Sequence, residues 1–352
     1  MTARPKKPRG LQQERTICDV CRVSPVGPRL QVAEKPGVTH CHGASCTPLK
    51  HPGRYGHPYE TVKDSRGDES GVPINSVSVS AEWHRLTSVV AISAENYEVT
   101  RPINRTQTHS YRGLRPPSPR LVTAQHAGVL DRLSHAGVRV VRIKPTPGLP
   151  YQFNVRDAGV VVHDQLIFAR MTYGMRGPEP TLLSREVQPT VRTASISRGR
   201  LEGGDVLVAG TEVYVGLGER TDREGYLAFR RLLPKSMKTT PIRLTAGTLH
   251  LDVALNMISP RLGLIYRPAI AGELPDSLRG VSWIDVTAQE FAEQAVNVLA
   301  IDESTVMLDS RQERLRTELK NRGVNCLTAD LDEITKVGGG IRCMTLPLER
   351  SM

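Results

Sequence analysis

Four short strings set reactive side chains beside turn-forming glycines: VRD at 155–157, LEGGDVLVAG at 201–210, LHLD at 249–252 and KVGGGIRCMTLPLER at 336–350. In the last, three consecutive glycines let the backbone bend sharply and approach a ligand. Cys343 follows, and Pro347 limits what comes after. A thiol just beyond such a turn can be presented into a cavity, and it reads equally as a buried structural cysteine. Glu202 and Asp205 flank two glycines ahead of an apolar run. Taken alone, that tetrapeptide reads more readily as a turn with solvated acids. In LHLD, His250 and Asp252 share one face if the segment is extended, since side chains i and i+2 point the same way. A strand histidine is more often structural than catalytic, and Asp157 alone is unremarkable.

The set says more than its members. One thiol, one imidazole and several acids in turn-rich, weakly charged surroundings are the parts of a cysteine-based transfer site. A free thiol has a pKa of ~8.5 and is mostly protonated at neutral pH. A cation beside it, such as His250, Arg342 or a bound substrate, would favour the thiolate. The surplus of carboxylates asks for a cationic substrate. Several acids around a planar cation give bidentate hydrogen bonds, which points to a guanidinium.

The elements that must position these residues recur from Val77 onward. The pattern is strand, tight turn, strand, amphipathic helix, glycine, strand. Its clearest copy spans 296–330, with Leu315 and Leu319 at helical spacing and Gly323 placed to stop the helix. A second copy starts at DVLVAG, and a third ends in RLVTAQHAGVLDRLSHAGVRVVRIKP with Gly137 as the stop. AGVVVHDQLIFARM and LNMISPRLGLIYRP read as two more hairpins. Roughly five such units fill the span, and units that cannot bury a face alone point to a closed or stacked α/β architecture. A doubly wound sheet fits the many hairpins poorly. Residues 101–120 and 144–150 read as irregular.

These strings, in this order, resemble the guanidino-group modifying superfamily, which includes arginine deiminase, dimethylarginine dimethylaminohydrolase and the amidinotransferases. The resemblance covers roughly residues 77–350 and is closest to the deiminase-like members. It implies a five-bladed, pseudo-fivefold α/β propeller (a pentein) of ββαβ units. It implies Cys343 as nucleophile, His250 as general acid/base, Glu202 as the acid orienting the histidine, and Asp157 and Asp252 as the carboxylates that grip the guanidinium. Asp205 matches the second acid of EGGD, counted with the binding set although its part there is more structural. Arg176 and Arg220 match arginines that bind the substrate α-carboxylate. Arginine deiminases carry a further Arg before the glycine run, where this chain has Lys336–Val337, so free arginine is not singled out. The expected activity is a hydrolase of arginine or an arginine derivative working through an amidino–cysteine intermediate. The alternative is an amidinotransferase, with an acceptor amine in place of water. RCMTLPLER resembles the hydrolase form more. No organic cofactor is implied, and the expected partner is a small guanidino compound, with a homo-oligomer left open.

The chain has 352 residues and a net charge of +11. The charge is spread: residues 1–75 hold 12 Lys+Arg against 7 Asp+Glu, and the remainder holds 35 against 29. That diffuse surplus and 4% aromatic content argue against a dedicated nucleic-acid surface. No apolar run is long enough to span a membrane, and none follows the basic N-terminus as a secretory leader would require. The expected location is therefore the cytoplasm, and all six cysteines are read as thiols. Residues 1–76, rich in Pro and Gly, are expected to be a disordered or weakly folded extension, with the catalytic domain at 77–352. Within the extension, Cys18, Cys21, Cys41 and Cys46, with His40 and His42, supply a minor alternative, a zinc site of non-standard spacing.

Overall fold

The apolar runs become strands, and they do so in one repeated order. The computed structural model describes residues 73–113 and 115–352. The chain opens with β1 (Arg85–Ile92), helices α1 (Arg105–Arg112) and α2 (Pro119–His135), and β2 (Arg139–Ile143). There follow β3 (Gly159–Val162), β4 (Gln165–Phe168), α3 (Glu179–Arg185) and β5 (Arg192–Ser195). The next unit is β6 (Val206–Ala209), β7 (Glu212–Leu217), α4 (Arg223–Leu232) and β8 (Lys238–Arg243). Then come β9 (Leu255–Ser259), β10 (Leu262–Ile265) and β11 (Ser282–Asp285), with α5 (Ala288–Ala292) after them. The last elements are β12 (Leu299–Asp302), β13 (Thr305–Asp309), α6 (Glu313–Asn321), β14 (Asn325–Ala329) and β15 (Leu346–Ser351).

Each triplet forms its own three-stranded sheet. The first two strands make an antiparallel hairpin, and the third lies parallel to the second. The remaining sheet is made from both ends of the described chain: β15 pairs antiparallel with β1, and β2 pairs parallel with β1. The result is the five-bladed α/β propeller that the resemblance implied. The blades share their cores. Val160 and Ile167 of one blade pack with Val206, Val208, Val213 and Val215 of the next and with Phe229 of α4. Burial on both faces explains why the strands read as apolar runs rather than alternating patterns.

The helix stops fall where expected. Gly323 and Gly137 take φ of +77° and +82° just after α6 and α2, and Leu315 and Leu319 are fully buried. The β9–β10–β11 blade departs from the pattern: only 3-10 turns, at Arg267–Ala269 and Asp276–Leu278, join β10 to β11.

Two expectations are corrected. Residues 101–120 are not irregular, since α1 and the start of α2 lie there. Asn104 caps α1 by accepting from the Gln107 N–H at 2.8 Å. The helix is anchored by a polar side chain: buried Gln107 donates to the Val337 carbonyl at 2.9 Å and accepts from the Ile103 N–H at 2.7 Å. It therefore has no apolar stripe to betray it. The folded part also begins before Val77. Ile74 is 1% exposed, bridges to Val187, donates to the Glu186 carbonyl and accepts from Gln188. Earlier residues, including Cys18, Cys21, Cys41 and Cys46, lie outside the described residues. No helix among the described residues is long and apolar enough to cross a membrane.

Ile74→Ala is expected to cost about 2–4 kcal/mol of unfolding free energy, the usual loss for truncating a buried Ile. Urea unfolding measures it. An unchanged midpoint would put Ile74 outside the cooperative unit.

Candidate active site

The propeller brings one residue per blade to equivalent places, just ahead of the first strand of each hairpin. Asp157 lies in a 3-10 turn (Val155–Ala158) before β3, Asp205 in a turn (Gly203–Asp205) before β6, and Asp252 in a turn (Leu251–Val253) before β9. Asn297 precedes β12 and Cys343 precedes β15. The steps between these five positions are 48, 47, 45 and 46 residues. His250 and Asp252 are not on a strand as expected, because His250 is extended but Asp252 sits inside the turn. Glu202 and Asp205 are not solvated acids either. Cys343, His250, Glu202, Asp157, Asp205 and Asp252 are all at most 3% exposed.

Burial of so much charge is matched by pairing. Glu202 Oε2 accepts from His250 Nε2 at 2.9 Å and from Arg220 at 3.0 Å, while Oε1 accepts from the Thr172 N–H at 2.8 Å. Burial alone would push the Glu202 carboxyl up, but the Arg220 guanidinium and His250 hold it well below its usual range. His250 Nδ1 lies 3.6 Å from Asp157 Oδ1. Burial opposes the charged imidazole, yet Asp157, Asp205 and Glu202 outweigh it and push its pKa up to about 9. Arg176 donates to Asp157 Oδ2 at 2.7 Å and to both oxygens of Glu179. Arg342 donates to Asp252 Oδ2 at 2.8 Å and to Glu82 at 2.9 Å.

Cys343 stands against Asp252. Its thiol donates toward Asp252 Oδ2 at 3.7 Å, and its backbone N–H donates to Asn297 Oδ1 at 3.1 Å. The Gly340 N–H also donates to Asn297 Oδ1, at 3.0 Å, so one amide fixes the thiol turn. Gly338 takes φ of +98°, which the left-handed bend of this loop requires. Burial, then the carboxylates of Asp252 and Asp157, push the Cys343 thiol well above its ordinary range. The thiol is therefore protonated at neutral pH.

A small cavity lies over the thiol, lined by Tyr151, Asn154, Asp157, Arg176, Leu249 and Cys343, with residues at the start of α1 across it. Asp157 Oδ1, Asp252 Oδ1, Asn154 Oδ1 and His250 Nδ1 are buried polar atoms without a hydrogen-bond partner among the described residues. Three of these are obligate acceptors. Arg176 borders the cavity, while Arg220 lies behind Glu202, donates to the Ile103 carbonyl and covers the Tyr173 ring at 4.6 Å. Asp205 does not line the cavity, and neither do Glu202, His250 and Asp252, which lie behind its wall. Asp205 accepts from the Leu251 N–H at 2.9 Å and fixes the turn that carries His250 and Asp252. Burial pushes its carboxyl up to about 7. Asp157, Glu202 and His250 also hold donor atoms within 4.8 Å of one another, as a metal site would. A dication there would face the guanidiniums of Arg176 and Arg220, which already neutralise both acids. Asn297 escaped sequence reading, although its place 45 residues after Asp252 and 46 before Cys343 marks it. Cys326 is half-buried on β14, and burial pushes its thiol up.

The chain is similar to several known proteins. A family model described as N,N dimethylarginine dimethylhydrolase, eukaryotic, matches residues 96–350. The uncharacterised protein YkgA of Bacillus subtilis is 31% identical over 277 residues, covering 76% of this chain and 94% of that protein. The dimethylarginine dimethylaminohydrolase of Mycobacterium tuberculosis is 26% identical, covering 62% of this chain and 71% of its own. Among solved structures, a mutant of the Pseudomonas aeruginosa dimethylarginine dimethylaminohydrolase complexed with citrulline matches with a TM-score of 0.64 and 21% identity. That match covers 74% of this chain and 99% of the other.

Gly204 tests the geometry. A Cβ there would come within 2.8 Å of both Asp157 Oδ1 and the His250 ring. Gly204→Ala is expected to lower kcat/KM by about 10²-fold, the usual result of an ångström-scale misplacement. Steady-state kinetics with a far-UV spectrum as fold control measures this, and unchanged kinetics would show that the two groups need not be held so closely.

Proposed function

The chain belongs to the N,N-dimethylarginine dimethylhydrolase family, and we propose that it hydrolyses the guanidinium group of arginine or an arginine derivative through a covalent amidino–cysteine intermediate. The observation that carries this is the pair of unpartnered carboxylate oxygens, Asp157 Oδ1 and Asp252 Oδ1, buried beside a thiol and an imidazole. A planar guanidinium offers N–H donors to both oxygens and a positive charge that both acids attract. No neutral group of that size does so.

The steps follow from the charges. The cation enters between Asp157 and Asp252 and removes the field that kept the Cys343 proton in place, and that proton passes to solvent. The thiolate then bonds to the central guanidinium carbon, giving a tetrahedral adduct. His250, held as imidazolium by Glu202, gives its proton to the departing amine, and the C–N bond breaks. The product of this half is an amidino–thioether. Neutral His250 next takes a proton from water, the hydroxide adds to the same carbon, and the C–S bond breaks; the adduct's O–H proton passes to the departing sulfur, which restores the thiol and releases a neutral ureido product. Arg342 and Arg220 hold the acids that do this work. Arg176, which the resemblance assigned to a substrate α-carboxylate, instead spends its guanidinium on Asp157, Glu179 and the Tyr151 and Asn154 carbonyls, so we give it the part of holding Asp157. The chemistry needs no metal or organic cofactor. A nucleophilic thiol requires a reducing compartment, which we read as the cytoplasm. We assign catalysis to the propeller domain rather than to the N-terminal segment.

The amidinotransferase reading differs only in the second nucleophile. Incubation with arginine and with N,N-dimethylarginine, without any acceptor amine, is expected to yield citrulline from at least one of them. Cys343→Ser is expected to lower turnover by at least about 10³-fold. Product only when an acceptor amine is added would replace the hydrolase with the transferase, and full turnover by Cys343→Ser would remove the thiol mechanism.

The protonated thiol also makes binding pH-linked. At a pH between the thiol pKa of the complex and that of the free site, a guanidinium ligand is expected to displace about one proton per site. Affinity should then rise with pH as the thiol becomes easier to ionise. Calorimetry in buffers of different ionisation enthalpy reads the proton count. Zero release across pH 6–9 would mean that the bound cation does not ionise Cys343.

A further inference from the structure

Behind Asp252, three arginines converge on too few carboxylates. Arg156, Arg342 and Arg350 are 2%, 1% and 3% exposed. The acids that face them are Glu82 and Asp252. Arg342 takes most of both, at 2.8 Å from Asp252 and 2.9 Å from Glu82, and also donates to the Val206 carbonyl. Arg156 is left with one contact to Glu82 at 3.6 Å. The Arg350 side chain makes one hydrogen bond, to the His84 carbonyl at 2.6 Å.

The remaining donors have nothing to meet. Nε and Nη2 of Arg156, Nε of Arg342, and Nε and Nη2 of Arg350 are buried without a partner among the described residues. An unpaired buried donor is costly, and an uncompensated buried charge more so. Burial pulls Arg350 down to about 9 and Arg156 to about 10 from their ordinary range, the direction expected of cations short of counter-charge. Waters could accept the hydrogen bonds but could not offset the extra positive charge. A small anion does both.

We propose that Arg156, Arg342 and Arg350 form a buried binding site for a halide-sized monovalent anion, chloride in the first instance, beside the Arg342–Asp252 pair. The anion balances the third guanidinium and accepts its free N–H groups. It also leaves Arg342 to hold Asp252 in place beside Cys343. The site requires no assumption about which substrate the enzyme takes.

The direct test is a crystal of the full chain grown in sodium bromide. An anomalous peak within hydrogen-bond distance of Arg156 or Arg350 is the expected result, and density that refines as water alone overturns the proposal. In solution, replacing gluconate by chloride at equal ionic strength is expected to raise Tm by about 3 °C, as an anion at some ten times its Kd would. Arg350→Gln should abolish that rise. A rise of the same size in Arg350→Gln, or none in the unaltered protein, overturns the assignment. Should Arg350→Gln fail to fold, the bromide map of the unaltered chain decides the question.

Discussion

The structure depends on the pairing of buried carboxylates with arginines around the propeller axis. Asp157, Glu202, Asp252 and Glu82 would each be unstable as isolated ions in that interior. Arg176, Arg220 and Arg342 make them tenable, and they do so asymmetrically. Arg176 binds Oδ2 of Asp157 and Arg342 binds Oδ2 of Asp252, the oxygen the thiol also faces, so Oδ1 of each aspartate stays unsatisfied. Glu82 shows how strong the field is: burial would raise its carboxyl, yet Arg342 and Arg156 hold it down at about 2. Removing one partner of such a pair leaves a bare charge, usually at a cost of about 3–5 kcal/mol. The network is therefore both scaffold and site, and neither part can be changed alone.

The fold supplies this network by repetition. A unit with both faces of its sheet apolar must share its core with neighbours, so the units close on one another. The turn before each first strand then points inward at equivalent places. What occupies those places has diverged: aspartate in three blades, asparagine in the fourth, cysteine in the fifth. The two non-acidic positions are coupled directly, because Asn297 carries the backbone N–H groups of Gly340 and Cys343. In the proposed mechanism the clamp, the positioning amide and the nucleophile thus come from one recurring turn. The histidine and its glutamate come from residues just ahead of two of those turns.

Much of this was legible in the sequence, for physical reasons that differ by element. Strands buried on both faces leave unbroken apolar runs, and helices that end in a left-handed glycine leave Gly137 and Gly323 as marks. The four strings with Asp157, Glu202, Asp205, His250, Asp252 and Cys343 stood out because turn glycines flank reactive groups. What could not be read was carried by contacts distant in sequence. α1 is fastened by Gln107 reaching Val337, which no periodicity reveals. Asn297 looks like any strand-edge amide until its spacing from Asp252 and Cys343 is counted. Burial of Glu202 and Asp205 depends on Arg220 and on the turn at Leu251. Ile74 sits in a Pro/Gly-rich stretch, and its partner strand segment is over a hundred residues away.

The unoccupied site is held in a resting ionisation state by its own charges. His250 is an imidazolium, and Cys343 is a thiol facing two carboxylates. Neither form by itself starts the reaction, since the nucleophile must lose a proton while the histidine keeps one. A group that is neutral, or anionic, leaves the thiol protonated however well it fits the cavity. In the proposed mechanism a guanidinium weakens the negative field at sulfur while lying close to His250, where it opposes rather than removes the imidazolium's hold on its proton. The substrate charge thereby supplies selectivity that the cavity walls alone do not. On the proposed mechanism, the raised thiol also protects Cys343 from side reactions between turnovers, because a protonated sulfur is a weak nucleophile.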